Sequence, residues 1–223
     1  MSREELVDQL LTGRAKYSSI FNDPTLTWAD IGAIGWLVDG AASVNQIPLC
    51  RCSHGPYARA MIRVCKEESF HQRQGYEIML TLCRGSDEQK AKARDALNRW
   101  WLPCLMMFGP PDSQSPHTDN STRWKIRRFT NDSLRQKFVD ATVPRGLHLG
   151  LTFPDPDPRF DDASGHWVFG AIDWDEFRRV LAGDDPCDRE RLAARRKAND
   201  DGAWMREAAQ VWATKQKTAR TAA

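Results

Sequence analysis

The chain has 223 residues, 32 Lys and Arg against 30 Asp and Glu, a net charge of +2 and 41% hydrophobic residues. That length suits one large domain and that hydrophobic share a core, while the near-balanced charge argues against a general nucleic-acid binder. With no signal segment and no apolar run long enough to span a bilayer, the composition fits a cytoplasmic helical protein that does not enter a membrane.

Apolar periodicity and capping signals predict helices near residues 3–12, 27–50, 57–83, 87–108, 131–143, 173–182 and 188–216. The second begins at Thr27-Trp-Ala-Asp30, a plausible N-cap and first turn, and continues as a nearly all-round apolar helix from Ile31 to Ile47. The third carries its buried stripe at Met61, Val64, Cys65, Gly75, Ile78, Met79 and Leu82. Ser86 with Gln89 makes a capping box for the fourth, and Pro103 should kink that helix between Trp100-Trp101 and Met106-Met107, residues that either line a channel or pack the core. Residues 109–122 read as a polar loop, and 151–170, with three prolines, as an irregular excursion holding at most a short hairpin around Trp167 to Phe169. The six cysteines, at 50, 52, 65, 83, 104 and 187, lack zinc or iron-sulfur spacing and are expected to be reduced core thiols.

Three residues break the apolar pattern in a way that points to a metal. Glu68 and His71 form a Glu-x-x-His pair on the apolar stripe of the third helix, and Asp39 lies in the middle of the apolar second helix. An unpaired carboxylate in a helical core costs several kcal/mol, so it must be neutralised, hydrogen-bonded or bound to a cation. Asp39 precedes Glu68 by 29 positions. At ~1.5 Å per residue, an antiparallel return through the Ser53 to Pro56 turn brings the two level. In carboxylate-bridged di-iron bundles, two helices each give a Glu-x-x-His and two others each give one carboxylate. On an exposed helix the same pair would be a coincidence of spacing.

The strings around these residues resemble a known family. Arg14 to Asn22, Trp28 to Gly32, Ile34 to Ala41, Gly55 to Met61 and Lys66 to Gly75 are similar to PaaA sequences, the catalytic subunits of multicomponent ring-1,2-phenylacetyl-CoA epoxidases. The similarity continues through Leu105 to Pro110, Trp124 to Asn131, Phe138 to Asp140, Pro154 to Asp157, Ile172 to Phe177 and Glu190 to Leu192, covering nearly the whole chain. The resemblance implies an all-α, ferritin-like, di-iron four-helix-bundle fold, N-terminally incomplete. A ferritin-like helical domain is expected over 1–145, with an irregular segment and C-terminal helices over 146–223. It further implies an O2- and NADPH-dependent monooxygenase that forms the ring 1,2-epoxide of phenylacetyl-CoA in phenylacetate catabolism. Asp39, Glu68 and His71 would be its iron ligands. NADPH, FAD and an iron-sulfur cluster would sit on a separate reductase subunit, since nothing here resembles a dinucleotide loop. A non-catalytic ferritin-like subunit would be the constant partner.

One departure qualifies this reading. The family's other Glu and Glu-x-x-His should precede the Arg14 string, and of the five histidines only His71 has a Glu three residues before it. The chain is therefore expected to correspond to a family member without its first helix pair and to carry half a di-iron site. The alternatives are an inactive helical module that binds the partner subunit, or a mononuclear site on the same three residues. Two charged stretches have open readings. Lys125, Arg127 and Arg128, just before a helix start, would suit coenzyme A phosphates or a subunit interface, and the mixed run Arg189 to Lys197 a solvated face or a partner contact.

Overall fold

The structure is a computed structural model that describes residues 1–14, 25–115, 118–154, 158–182 and 186–221. The strings at 15–22 and 155–157 that contribute to the family resemblance lie outside the described residues. Two compact units form, Thr25–Phe177 and Met1–Pro24 with Arg178–Ala223. The boundary expected at 145/146 falls inside the first unit, because Phe153 packs on Trp101 and the hairpin after it is pinned to the helix before it.

The fold of the larger unit is all-α with one small hairpin. A helical run comprises α2 (Trp28–Ala33), a π-turn (Ile34–Val38), α3 (Asp39–Gln46) and a 3-10 turn (Ile47–Arg51); before them, in the smaller unit, lies α1 (Arg3–Thr12). There follow α4 (Gly55–Cys83), α5 (Asp87–Met106), the short α6 (Thr118–Arg123) and α7 (Asn131–His148). Thr27 N–H donates to the Asp30 carboxylate at 2.7 Å to open α2, and the Ser86–Gln89 capping box opens α5. Strands β1 (Arg159–Asp161) and β2 (His166–Val168) pair antiparallel, Phe160 opposite Trp167. Asp140 of α7 holds this hairpin, accepting from the Trp167 N–H at 2.8 Å and lying 2.7 Å from His166 Nδ1. Among the described residues, no helix is long and apolar enough to cross a membrane.

The second and third helical segments run antiparallel in backbone contact. Positions pair in steady succession: Gly32 meets Ile78, Gly35 meets Gly75, Gly40 meets Gln72, and Cys50 meets Cys65. A Cβ on Gly75 would lie 2.2 Å from the Trp36 nitrogen and 2.4 Å from the Gly35 carbonyl carbon, so only glycine fits. Around this crossing the core closes with Trp36, Leu37, Met79, Leu97, Trp101, Leu105, Phe138 and Val139, all buried. Trp101 stacks on Phe138, and Trp100 bonds Asp30, so these tryptophans pack the core rather than line a channel.

Several sequence expectations differ from the structure for local reasons. Helix α7 continues through Pro144 to His148 instead of ending at 143, because Val143 and Gly146 are buried and the Phe153 ring sits directly on Gly146. The tertiary burial outweighs the hydrogen bond that proline removes. The end of the expected 109–122 loop, from Thr118 on, instead forms α6. The last predicted helix, 188–216, is two, α9 (Pro186–Asp201) and α10 (Ala203–Thr221), divided at Gly202; α8 (Trp174–Ala182) lies close to its expected span. Of the described cysteines only Cys104 is buried, while Cys50, Cys52, Cys65 and Cys83 are half-buried, and all five are free thiols. In the smaller unit, Arg195 and Arg196 of the mixed-charge run donate to the Leu10 and Leu11 carbonyls, satisfying the C-terminus of α1.

Replacing Gly75 by Ala tests the crossing. At an open helical site this change stabilises by about 0.5–1 kcal/mol; here overpacking should destabilise by about 1–3 kcal/mol. Urea unfolding reads the sign directly, and an unchanged or raised midpoint would contradict the backbone contact.

Candidate metal centre

The glycine crossing brings three chemical groups together. Asp39 lies one turn after Gly35 and His71 one turn before Gly75, so the contact that joins the glycines sets these two side chains side by side. The π-turn completes the placement. The Asp39 N–H donates to the Ile34 carbonyl, five residues back. That wider turn adds a residue to the repeat and rotates α3 by roughly 100° relative to an unbroken α-helix. Sequence reasoning did not foresee it, and the signal available was only the Gly35 within an apolar run.

Asp39, Glu68 and His71 each offer a ligand atom, and these atoms lie within 4.8 Å of one another. His71 Nδ1 is 3.9 Å from an Asp39 oxygen and 3.8 Å from a Glu68 oxygen. These distances exceed a hydrogen bond, so the imidazole does not satisfy the carboxylates directly. The acids are largely covered, 24% and 22% exposed, whereas His71 is 56% exposed. The group therefore opens to one side, with the carboxylates at its floor. Among the described residues it is the one cluster of three or more such side chains placed to share an ion.

Electrostatics agree with a site built to hold positive charge. Burial, and then the adjacent Glu68 carboxylate, push Asp39 up from 3.8 to about 6 against the opposing influence of His71. Burial, followed by the proximity of Asp39, also holds the Cys104 thiol well above its usual range. The donor set fits a hard or borderline cation such as iron, two carboxylates and one imidazole from two adjacent helices, with the exposed side free for further ligands.

The expected phosphate-binding residues do not converge in the same way. Arg127 donates to Asn131 Oδ1 at 2.7 Å, and the N-terminus of α7 is already served by protein groups. Asn131 N–H donates to Asp112 at 2.9 Å, and Ser133 N–H to Thr130 Oγ1 at 3.3 Å. Lys125 and Arg128 are exposed, Lys125 with a φ of 56° and its carbonyl accepting from the Ser53 N–H at 2.9 Å.

Comparison with known proteins matches the chain to a family. A family model described as phenylacetic acid catabolic protein fits residues 1–204. The chain belongs to that family. The A subunit of the 1,2-phenylacetyl-CoA epoxidase of Escherichia coli strain K12 is 60% identical over 221 residues, 99% of this chain and 72% of that protein. As a phenylacetic acid catabolic protein, the chain presents Asp39, Glu68 and His71 within strings that were already distinctive in the sequence.

The raised Asp39 pKa carries a sign. The folded chain keeps this proton between pH values of about 4 and 6, where the unfolded chain has lost it. Its stability contribution is thus full below about 4, falls as pH rises, and stays lower above about 6. In metal-free protein, Asp39→Asn should raise the unfolding free energy at about pH 7.5, by at most about 3 kcal/mol, and change it little near pH 4. A stabilisation equal at both pH values would show that Asp39 ionises normally.

Proposed function

We propose that this chain is a subunit of a phenylacetyl-CoA 1,2-epoxidase, a multicomponent O2- and NADPH-dependent monooxygenase of phenylacetate catabolism in the cytoplasm. The observation that carries the reading is the convergence of Asp39, Glu68 and His71 at a glycine crossing, in a chain 60% identical to the A subunit of such an enzyme. Iron held there would supply redox electrons and open coordination positions for activating O2 toward insertion of one oxygen atom into the aromatic ring.

The chain's own residues have separable tasks. Asp39 and Glu68 neutralise the cation from the covered side, and Asp39 must first give up the proton that its surroundings favour below a pH of about 6. His71 contributes an imidazole nitrogen at the exposed rim. The remaining ligands of a two-iron centre, a Glu and a second Glu-x-x-His, have no equivalent cluster among the described residues. On this reading, helices outside these 223 residues supply them, since within the sequence only His71 has a Glu three residues before it. Trp28, Ile31, Ile62 and Phe70 leave apolar surface exposed on the same helices, which supports packing against such helices and against a non-catalytic ferritin-like partner subunit. Electrons would arrive from NADPH through a separate reductase carrying FAD and an iron-sulfur cluster. The exposed Lys125 and Arg128 remain the groups proposed to meet the phosphates of the acyl-CoA, with Arg127 orienting that loop through Asn131.

Anaerobic Fe(II) loading of the chain, alone and with its partner subunits, tests the proposal. Iron should bind to the wild-type chain, weaken as pH falls below about 6 and be lost in Glu68→Ala. The assembled complex should couple NADPH oxidation to epoxide formation, and the same substitution should abolish it. Unchanged iron content in Glu68→Ala would reject the metal assignment. Replacing Lys125 and Arg128 together by Ala should raise KM for the thioester while leaving iron content intact; an unchanged KM would remove them from the substrate site.

A further inference from the structure

Two thiols lie next to the metal cluster and take no part in it. Cys50, in the 3-10 turn Ile47–Arg51, has its Sγ 3.7 Å from that of Cys65 in α4, and both residues are half-buried. Cys65 precedes the ligand Glu68 by three residues on the same helix. The third nearby thiol is turned elsewhere, since Cys52 Sγ faces the His54 carbonyl at 3.4 Å. The pairing is thus selective in geometry although Cys50 and Cys52 are near neighbours in sequence.

We propose that Cys50 and Cys65 are an oxidisable dithiol that hydrogen peroxide closes into a disulfide, tying the 47–51 turn to α4 beside the metal ligands. This stands on the thiol geometry and is independent of the epoxidase reading. Closing the 3.7 Å gap to an S–S bond of about 2.05 Å needs the sulfurs to approach by roughly 1.7 Å. A single 3-10 turn with no fully buried residue can absorb that displacement more readily than the glycine crossing farther along. Neither residue is fully buried, so a molecule the size of peroxide can reach the pair.

The chemistry balances with peroxide as oxidant. The Cys50 thiolate attacks one peroxide oxygen, an S–O bond forms, the O–O bond breaks, and the departing hydroxide takes a proton to become water. The Cys65 sulfur then attacks the Cys50 sulfenic sulfur. The S–S bond forms as the S–O bond breaks, and the Cys65 proton leaves with the hydroxide as a second water. Two electrons and two protons pass from the dithiol to one peroxide. Burial, then the neighbouring Cys50 thiol, push Cys65 up to about 11, so little of it is thiolate and the first attack falls to Cys50.

Peptide mapping tests the assignment. The native chain is treated with hydrogen peroxide, alkylated before denaturation and digested with trypsin, whose cleavage after Arg51 separates Cys50 from Cys52. The expected product is the Cys50 peptide joined to the Cys65 peptide, returned to two separate peptides by dithiothreitol and absent in Cys65→Ser. Cys50 and Cys65 both alkylated after peroxide would overturn the proposal. So would a Cys52–Cys65 link, or oxidation of Cys50 to sulfinic acid beside an alkylated Cys65.

Discussion

The arrangement of this molecule depends on one backbone contact, the passage of Gly75 against Gly35 and Trp36. Helices separated by side chains usually lie 8–10 Å apart, with some freedom to slide. A crossing in which a single methyl group would overlap backbone atoms has no such freedom in distance and little in register. The register then propagates along both segments, from Gly32 opposite Ile78 to Cys50 opposite Cys65. Asp39, Glu68 and His71 inherit their proximity from it, since each stands about one or two turns from a contacting glycine. The thiol pair is a further step along the same antiparallel ladder.

A fixed register alone leaves open which way Asp39 faces. The π-turn settles this by adding a residue just before it, after which α3 resumes with Asp39 as its first residue. A wide turn weakens a helix, and its persistence inside a buried, nearly all-apolar run means that surrounding packing holds it. Trp36 and Leu37, both buried within the turn, are the residues that do so. Packing energy from two large side chains thus fixes the direction of a carboxylate.

Much of this was legible in the amino-acid sequence. The convergence of Asp39, Glu68 and His71 could be read because two acids on apolar faces are expensive, and the 29-residue separation implied an antiparallel return. The Thr27 and Ser86 helix starts could be read because a capping residue and its partner three positions later leave a local signature. What could not be read depends on contacts between distant residues. Pro144 lies inside a helix because Phe153, further along the chain, covers Gly146. The π-turn has no local signature that separates it from an α-helix of the same composition. The cysteines were expected in the core because their neighbours are apolar, yet a helix face at the edge of a unit leaves Cys50 and Cys65 partly open. The N-terminus of α7 looked available to phosphate because Asp112, which occupies it, belongs to a loop nineteen residues earlier.

Two aspartates in the same helical run show why Asp39, rather than Asp30, is the candidate ligand. Asp30 is fully buried, yet its pKa is lowered: burial raises it, but Arg99, the Thr27 N–H and Trp100 all donate to the carboxylate and outweigh that cost. Arg99 and Trp100 reach it at 2.9 and 3.0 Å, and the Leu26 and Thr27 N–H groups at 3.0 and 2.7 Å. Every lone pair is used, the charge is matched, and no capacity remains for a further cation. Asp39 is less buried but has the opposite balance, because its charged neighbours are another acid and an imidazole beyond hydrogen-bonding distance. A structural carboxylate is one whose partners come with the fold. Asp39 lacks them, and by the cost of uncompensated charge it gains most from a cation between itself, Glu68 and His71. The same fold therefore satisfies one acid internally and leaves the other with its charge uncompensated by protein groups.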